Sequence, residues 1–217
     1  MPRPPLDLTL YLVTDTTLCG ALGVPATVAA AARAGVTAVQ LRDPAAPDTE
    51  LVALGRAVAA ELAGTGIPLL VNDRVHLVGP IGAAGAHVGQ GDLDPATARA
   101  LLGPDALLGL SAQTVDHVAA ARAAGWDLDY LGVGPVWPQT TKRDAATPGG
   151  LAVLREIVAA SPWPCVAIGG IDADRATLVA RQGAAGVAVV SAVCGGPDAG
   201  AVAAATRRLR AAWDAAR

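Results

Sequence analysis

The single lysine of this chain, Lys142, lies in the segment GPVWPQTTKRD (Gly134–Asp144), while the other fifteen of its sixteen basic residues are arginine. Lysine is a compact, mobile point charge and arginine a planar fork, so a site shaped for one does not accept the other unchanged. In a threonine-rich loop the natural partner of that charge is an anion; a Schiff base is the alternative chemistry at this position. Two carboxylates form a second pair of interest. Asp73 closes the segment IPLLVND and Asp92 follows AGAHVGQ. Strand ends that are neighbours in a sheet lie about 4.8 Å apart, so two such carboxylates can share one hard cation. Mg²⁺ takes one or two protein carboxylates and completes its shell with water and phosphate oxygens. Asp73 could equally cap the helix that follows it. Gly169-Gly170 in AIGGID and Val190-Ser191 in VVSAV offer backbone N–H groups that can approach a phosphate closely, although a glycine pair also serves as a plain tight turn.

These residues need a frame that brings them to one place. Eight short apolar segments read as strands, the first near residues 8–15 and then 36–43, 67–73, 84–90, 106–112, 128–136, 163–170 and 184–192. Between them run Ala/Leu/Arg-rich stretches with helical spacing, over 25–34, 48–63, 74–81, 94–102, 114–123, 149–159 and 174–182, and a last helix near 199–215. Asp94-Pro95 marks one helix start, Thr114 and Asp174 are placed to cap others, and Gly35, Gly125 and Gly183 stand where helices end. Strands alternating with helices predict βαβ units and a parallel sheet. Eight units over 217 residues predict a single (β/α)8 TIM barrel, one domain over 1–217. A doubly wound open sheet is the structural alternative, but no G-x-G-x-x-G follows the first strand.

In a barrel the site lies at the C-terminal strand ends, and there the polar residues collect. Gln40, Arg42 and Asp43 end strand two, Asn72 and Asp73 strand three, and Gln90 and Asp92 follow strand four. Ser111 and Gln113 end strand five, Thr140, Thr141 and Lys142 follow strand six, and Ser191 closes strand eight. Together they predict a metal-bound polyphosphate near strands two to four and a second phosphate near strands seven and eight.

Composition narrows the field. A net charge of −3 and 3% aromatic residues argue against a nucleic-acid surface. No apolar run approaches the roughly 20 residues of a membrane span, and MPRPPLDLTLYLVTD lacks the plan of a signal peptide. Cys19, Cys165 and Cys194 form no metal-binding spacing and read as buried thiols in a reducing cytoplasm. His87 reads as a satisfied core histidine, and His76 and His117 as solvated residues on helices.

Eight segments in this order, YLVTD, VQLRD, VNDR, HVGQGDL, GLSAQT, GPVWPQTTKRD, AIGGI and VVSAV, together resemble the thiamine phosphate synthase family, from Tyr11 to Val193. The resemblance implies a (β/α)8 enzyme that joins hydroxymethylpyrimidine diphosphate to a thiazole phosphate and releases pyrophosphate. It implies that Asp73 and Asp92 bind Mg²⁺, and that Gln40, Arg42, Asn72, Ser111 and Lys142 hold the pyrimidine diphosphate. Thr141, Gly170, Val190 and Ser191 would meet the thiazole phosphate. Lys142, Ser111 and Arg42 would be the catalytic groups, stabilising charge on the departing diphosphate. Its partners are therefore small molecules, and a homo-oligomer is compatible with the sequence. A thiazole tautomerase of the same fold, or a non-catalytic thiazole-phosphate-binding paralogue, are the alternatives. The tautomerase would leave the Asp73/Asp92 pair without a role, and the paralogue would bind without Mg²⁺-dependent turnover. Two positions depart from the family pattern: Pro44 stands where Q-L-R-[ED]-K has its lysine, and Gln139 where P-T-x-T-K has its first threonine. The first removes a cation, for which Arg74 or Arg143 would have to compensate.

Overall fold

Every predicted apolar segment forms a strand, and all pair in parallel. The structure, a computed structural model, describes residues 3–141 and 146–217. The strands are β1 (Leu10–Val13), β2 (Ala38–Leu41), β3 (Leu69–Asn72), β4 (Gly85–Val88), β5 (Leu107–Ala112), β6 (Tyr130–Val133), β7 (Cys165–Ile168) and β8 (Gly186–Val189). They close in sequence order, with β8 hydrogen-bonded to β1, which excludes the open sheet. The helices are α1 (Thr16–Cys19), α2 (Val24–Ala34), α3 (Asp48–Leu62), α4 (Val78–Ile81), α5 (Pro95–Leu102), α6 (Val115–Ala123), α7 (Gly150–Ala160), α8 (Ala173–Ala180), α9 (Ser191–Cys194) and α10 (Ala199–Asp214). No single helix among the described residues is long and apolar enough to cross a membrane.

Two apolar layers hold the barrel. Side chains alternate between the faces of a strand, so Leu10, Leu12, Val39, Leu41, Val71 and Val88 point outward and pack under the helices in one large core. Tyr11, Val13, Ala38, Leu70, Leu107, Tyr130, Val166 and Ala188 fill the barrel interior. This double covering explains why the strands carry apolar residues on both faces, with polar inward residues only toward the C-terminal mouth. Small helix residues let the outer layer close: Gly55 of α3 lies so near Ile81 that an added Cβ would stand 2.8 Å from its side chain.

The differences from expectation are local. Strand eight stops at Val189, and Ser191 opens the short helix α9 instead of ending the strand. The helix expected over 74–81 divides into a 3₁₀ turn (Val75–Leu77) and α4. Asp172, not Asp174, caps α8, because the helix begins at Ala173; its carboxylate accepts from the Arg175 N–H at 2.9 Å. Thr114 and Asp94 cap α6 and α5 as expected. The three cysteines are buried and free.

At the N-terminal end of the barrel the charges are mutually satisfied. Arg3 pairs with Asp127 and Asp129 and donates to the Pro104 carbonyl. Arg99 bonds Asp129 at 3.1 Å and the carbonyls of Gly103, Ala106 and Asp127. Arg3 holds the Asp127 carboxyl below its usual range.

Candidate active site

The C-terminal mouth of the barrel contains a cavity of about 170 Å³. Period-two alternation decides which residues reach it. Register places Asn72 beside His87, His87 beside Gly109, and Ser111 beside Gly132. Two of these positions must be glycine. A Cβ at Gly109 would lie 2.2 Å from Tyr130 Cζ, and one at Gly132 would lie 2.9 Å from His87 Cε1. The missing side chains make room for the tyrosine and histidine rings inside a barrel otherwise filled with aliphatics.

The cavity floor is a continuous polar chain. Gln40 donates from Nε2 to Tyr11 Oη at 3.0 Å, and Tyr11 Oη lies 2.8 Å from Tyr130 Oη. Tyr130 Oη is 2.9 Å from His87 Nδ1, and His87 Nε2 is 3.0 Å from Ser111 Oγ. The two phenol rings meet edge-on with centroids 5.8 Å apart. Burial pushes the Tyr11 pKa up to about 12, against its hydrogen bonds with Tyr130 and Gln40, which lower it. Burial, then the neighbouring Tyr11, raises Tyr130 well above its ordinary value. Both phenols are therefore protonated at neutral pH.

Around the mouth, Gln40, Arg42, Asn72, Ser111, Thr141, Gly170, Val190 and Ser191 all line this one cavity, as their sequence positions predict. The Arg42 backbone is anchored by its N–H to Thr14 Oγ1 at 3.0 Å. Its half-buried guanidinium meets no carboxylate among the described residues. Gly169 and Gly170 adopt φ of 105° and 63°. A Cβ at Gly169 would lie 2.6 Å from Pro135 Cβ, and at Gly170 2.7 Å from the Pro138 carbonyl oxygen. Glycine is thus required there by conformation and by the close approach of the segment after β6, and both residues line the cavity. Arg175 braces this turn, donating to the Gly170 carbonyl at 2.5 Å while its guanidinium stacks over Trp137. Thr141 Oγ1 donates to Gln139 Oε1 at 2.8 Å, so Gln139, which departs from the family pattern, still meets the loop threonine.

Asp73 and Asp92 stand outside the cavity wall, on the loops after β3 and β4. Asp73 has a left-handed backbone, φ 59°, unusual for a residue with a side chain, and its N–H donates to the His87 carbonyl at 2.8 Å. Its carboxylate accepts from Asn72 Nδ2 at 2.6 Å, and the 3₁₀ turn that follows has no side-chain cap. The capping role open to Asp73 in the sequence is therefore not taken up. Asp92 Oδ2 accepts from the Gly89 N–H at 2.8 Å. Among the described residues no three His, Cys, Asp or Glu side chains converge as a metal cage. A pair of carboxylates on adjacent strand ends suits a cation that takes most of its ligands from water and phosphate.

Two expectations change. Arg74 does not replace the cation absent at Pro44: it donates to the Ala46 and Pro44 carbonyls at 2.6 and 3.1 Å and pairs with Asp48 at 3.1 Å, clamping the β2–α3 loop. Lys142 and Arg143 lie outside the described residues. His87, expected as a core residue, is buried but also lines the cavity. With Tyr11 and Tyr130 it completes a part of the site that strand-end reasoning missed. Alternation along β1, β4 and β6 carried the signal for all three.

A closed parallel barrel with a polar C-terminal mouth, glycine turns after β7 and a carboxylate pair after β3 and β4 defines the class of phosphate-handling (β/α)8 enzymes. The family model described as thiamine monophosphate synthase matches residues 10–193. The thiamine-phosphate synthase of Xanthobacter autotrophicus is 48% identical over 217 residues, covering all of both chains. That of Azorhizobium caulinodans is 47% identical over 201 residues, 91% of this chain and 92% of its own. Among solved structures, thiamine phosphate pyrophosphorylase from Pyrococcus furiosus superposes with a TM-score of 0.84 at 32% identity, covering 97% of each chain. The chain belongs to the thiamine monophosphate synthase family. These relatives carry the synthase name, not that of the tautomerase branch.

Proposed function

We propose that this chain catalyses the synthase reaction: the methylene carbon of hydroxymethylpyrimidine diphosphate is transferred to the ring nitrogen of a thiazole phosphate, giving thiamine phosphate and pyrophosphate. The observation that carries this reading is one cavity lined both by Arg42, which meets no carboxylate among the described residues, and by the Gly170 and Ser191 turns, so that two phosphorylated ligands can meet. The C–O bond to the diphosphate breaks with its electron pair leaving on oxygen, and the thiazole nitrogen supplies the pair for the new C–N bond. No proton needs to be removed, which suits a cavity wall that holds no carboxylate among the described residues. The aminopyrimidine can stabilise positive charge on the methylene carbon, so departure can run ahead of attack.

The residues divide the work. Arg42, Asn72, Gln40, Ser111 and Lys142 hold the pyrimidine diphosphate, and Arg42 and Lys142 stabilise the charge developing on the leaving group. Thr141, Gly170, Val190 and Ser191 hold the thiazole phosphate and keep its nitrogen near the reacting carbon. Asp73 and Asp92 would hold Mg²⁺, which supplies neutralisation of diphosphate charge when bound. Three buried free thiols suit a reducing cytoplasmic location.

The test is product formation from the two substrates with Mg²⁺, with and without EDTA. Metal-dependent thiamine phosphate is expected; thiazole phosphate binding without turnover would sink the reading.

A further inference from the structure

The hydrogen-bond chain on the cavity floor has a direction. Gln40 meets Tyr11 through an amide nitrogen, which has protons to give and no lone pair to offer. Tyr11 Oη therefore accepts there, and among the described residues its own proton has one hydrogen-bond partner to go to, Tyr130 Oη at 2.8 Å. Tyr130 in turn has its proton for His87 Nδ1 at 2.9 Å. An imidazole nitrogen that accepts is unprotonated, so the neutral ring carries its proton on Nε2 and donates to Ser111 Oγ at 3.0 Å. Running the chain the other way would leave the Tyr11 hydroxyl proton, in a side chain 1% exposed, without an acceptor among the described residues. A buried donor left in that state bears its full desolvation cost, which sets the direction.

We propose that Gln40, Tyr11, Tyr130 and His87 form a one-way relay that holds His87 as its Nε2–H tautomer, so that Ser111 receives a hydrogen bond and directs its own hydroxyl proton into the cavity. Tyr11, Tyr130 and His87 are then positioning residues, and Ser111 is the group that touches the ligand. Resting on the synthase reading, Ser111 acts as a fixed donor toward an acceptor atom of the pyrimidine diphosphate, with no reorientation needed as charge develops there. Burial supports the relay by keeping both phenols protonated. Gly109 and Gly132 support it by making space for the two rings.

The tautomer is directly measurable. The chain has three histidines; substituting the two outside the relay, His76→Asn and His117→Asn, leaves His87 as the one imidazole signal in ¹⁵N-labelled protein. The expected spectrum has a pyrrole-type Nε2 and a pyridine-type Nδ1. A proton on Nδ1, alone or together with Nε2, overturns the relay, and this outcome is independent of whether the protein turns over any substrate. In the activity arm, Tyr130→Phe lowers kcat about tenfold, the scale on which partners one shell out from a reacting group act, while KM for the thiazole phosphate stays at its native value. Combined with Ser111→Ala it gives no further fall, because both substitutions remove the same oriented proton. Native kcat in a folded Tyr130→Phe, or losses that multiply in the double variant, overturn the proposal. A protein with the Nε2–H tautomer but no thiamine phosphate product would instead overturn the synthase reading and leave the relay standing.

Discussion

The two ends of the barrel treat their arginines in opposite ways. At the N-terminal end, Arg3 and Arg99 are each held by aspartate and by backbone carbonyls. At the C-terminal end, Arg42 faces a cavity with no carboxylate on its guanidinium among the described residues. Neutralised charge ties β5 and β6 and the N-terminal arm together; unneutralised charge is an electrostatic preference for an anion. The same division runs through the backbone. Glycines with positive φ end helices such as α2 at Gly35 near the base, whereas Gly169 and Gly170 at the mouth let the segment Pro135–Pro138 pack directly against the turn after β7. Paired charges and the open cavity thus occupy opposite rims, as expected where one scaffold carries a site built from strand-end loops.

The comparison is broken most severely at the carboxylate pair. Asp73→Asn keeps a residue type that tolerates the left-handed backbone and removes the charge; we expect kcat to fall by about 10²–10³-fold, the scale of losing one electrostatic contributor to the transition state. A magnesium titration checks this, and native turnover at saturating metal would remove Asp73 from the site. Next comes Arg42→Ala, expected to lower kcat/KM for the pyrimidine diphosphate about a hundredfold with no change in melting temperature, since the guanidinium pairs with no carboxylate among the described residues. A melting point that falls with activity would show that the mouth is no different from the base. Pro44→Lys sharpens the contrast in the other direction. It returns a cation to a loop already clamped by Arg74, and a roughly threefold lower KM for the diphosphate is expected, in keeping with the modest energy of an exposed charge contact. Unchanged KM would mean that Arg42 and Lys142 suffice.

The smallest effect on activity is expected at the base. Arg3→Ala should leave kcat and KM unaltered while lowering stability by about 1 kcal/mol, or about 2–4 °C in Tm for a domain of this size. Its pH dependence has a definite sign. Arg3 depresses the folded-state pKa of Asp127, so the stabilisation is present above the ordinary carboxylate range and is lost as pH falls through the depressed value. Thermal melts of the two proteins should therefore differ at neutral pH and converge in acid. A constant gap would mean that the carboxylate is not the partner that matters.

The barrel was legible in the chain because each βαβ unit announces itself locally: apolar strand segments, helix caps at Asp94 and Thr114, and glycine at the C-terminal end of α2 depend on near neighbours in sequence. The strand boundaries were less so, because the parallel ladders extend only as far as the neighbouring strands lie in register; β8 ends at Val189 and the chain turns at once into α9. At the site, residues standing at strand ends could be read directly, and Gln40, Arg42, Asn72, Ser111, Thr141, Gly170, Val190 and Ser191 do converge. Arg74 could not be read in this way, since its direction is set by carbonyls of a loop some thirty positions earlier, as in the Arg74–Pro44 contact.

The sequence by itself determined the order of strands and helices, the inward and outward faces through period-two alternation, and the polar character of one rim. Only the tertiary structure decided which inward residues touch. Tyr11 and Tyr130 are 119 positions apart and meet because closure of the barrel brings β1 and β6 around a common interior, where two glycines leave the volume that their rings and His87 fill. Alternation tells a side chain which face to take; closure and close packing tell it what it finds there.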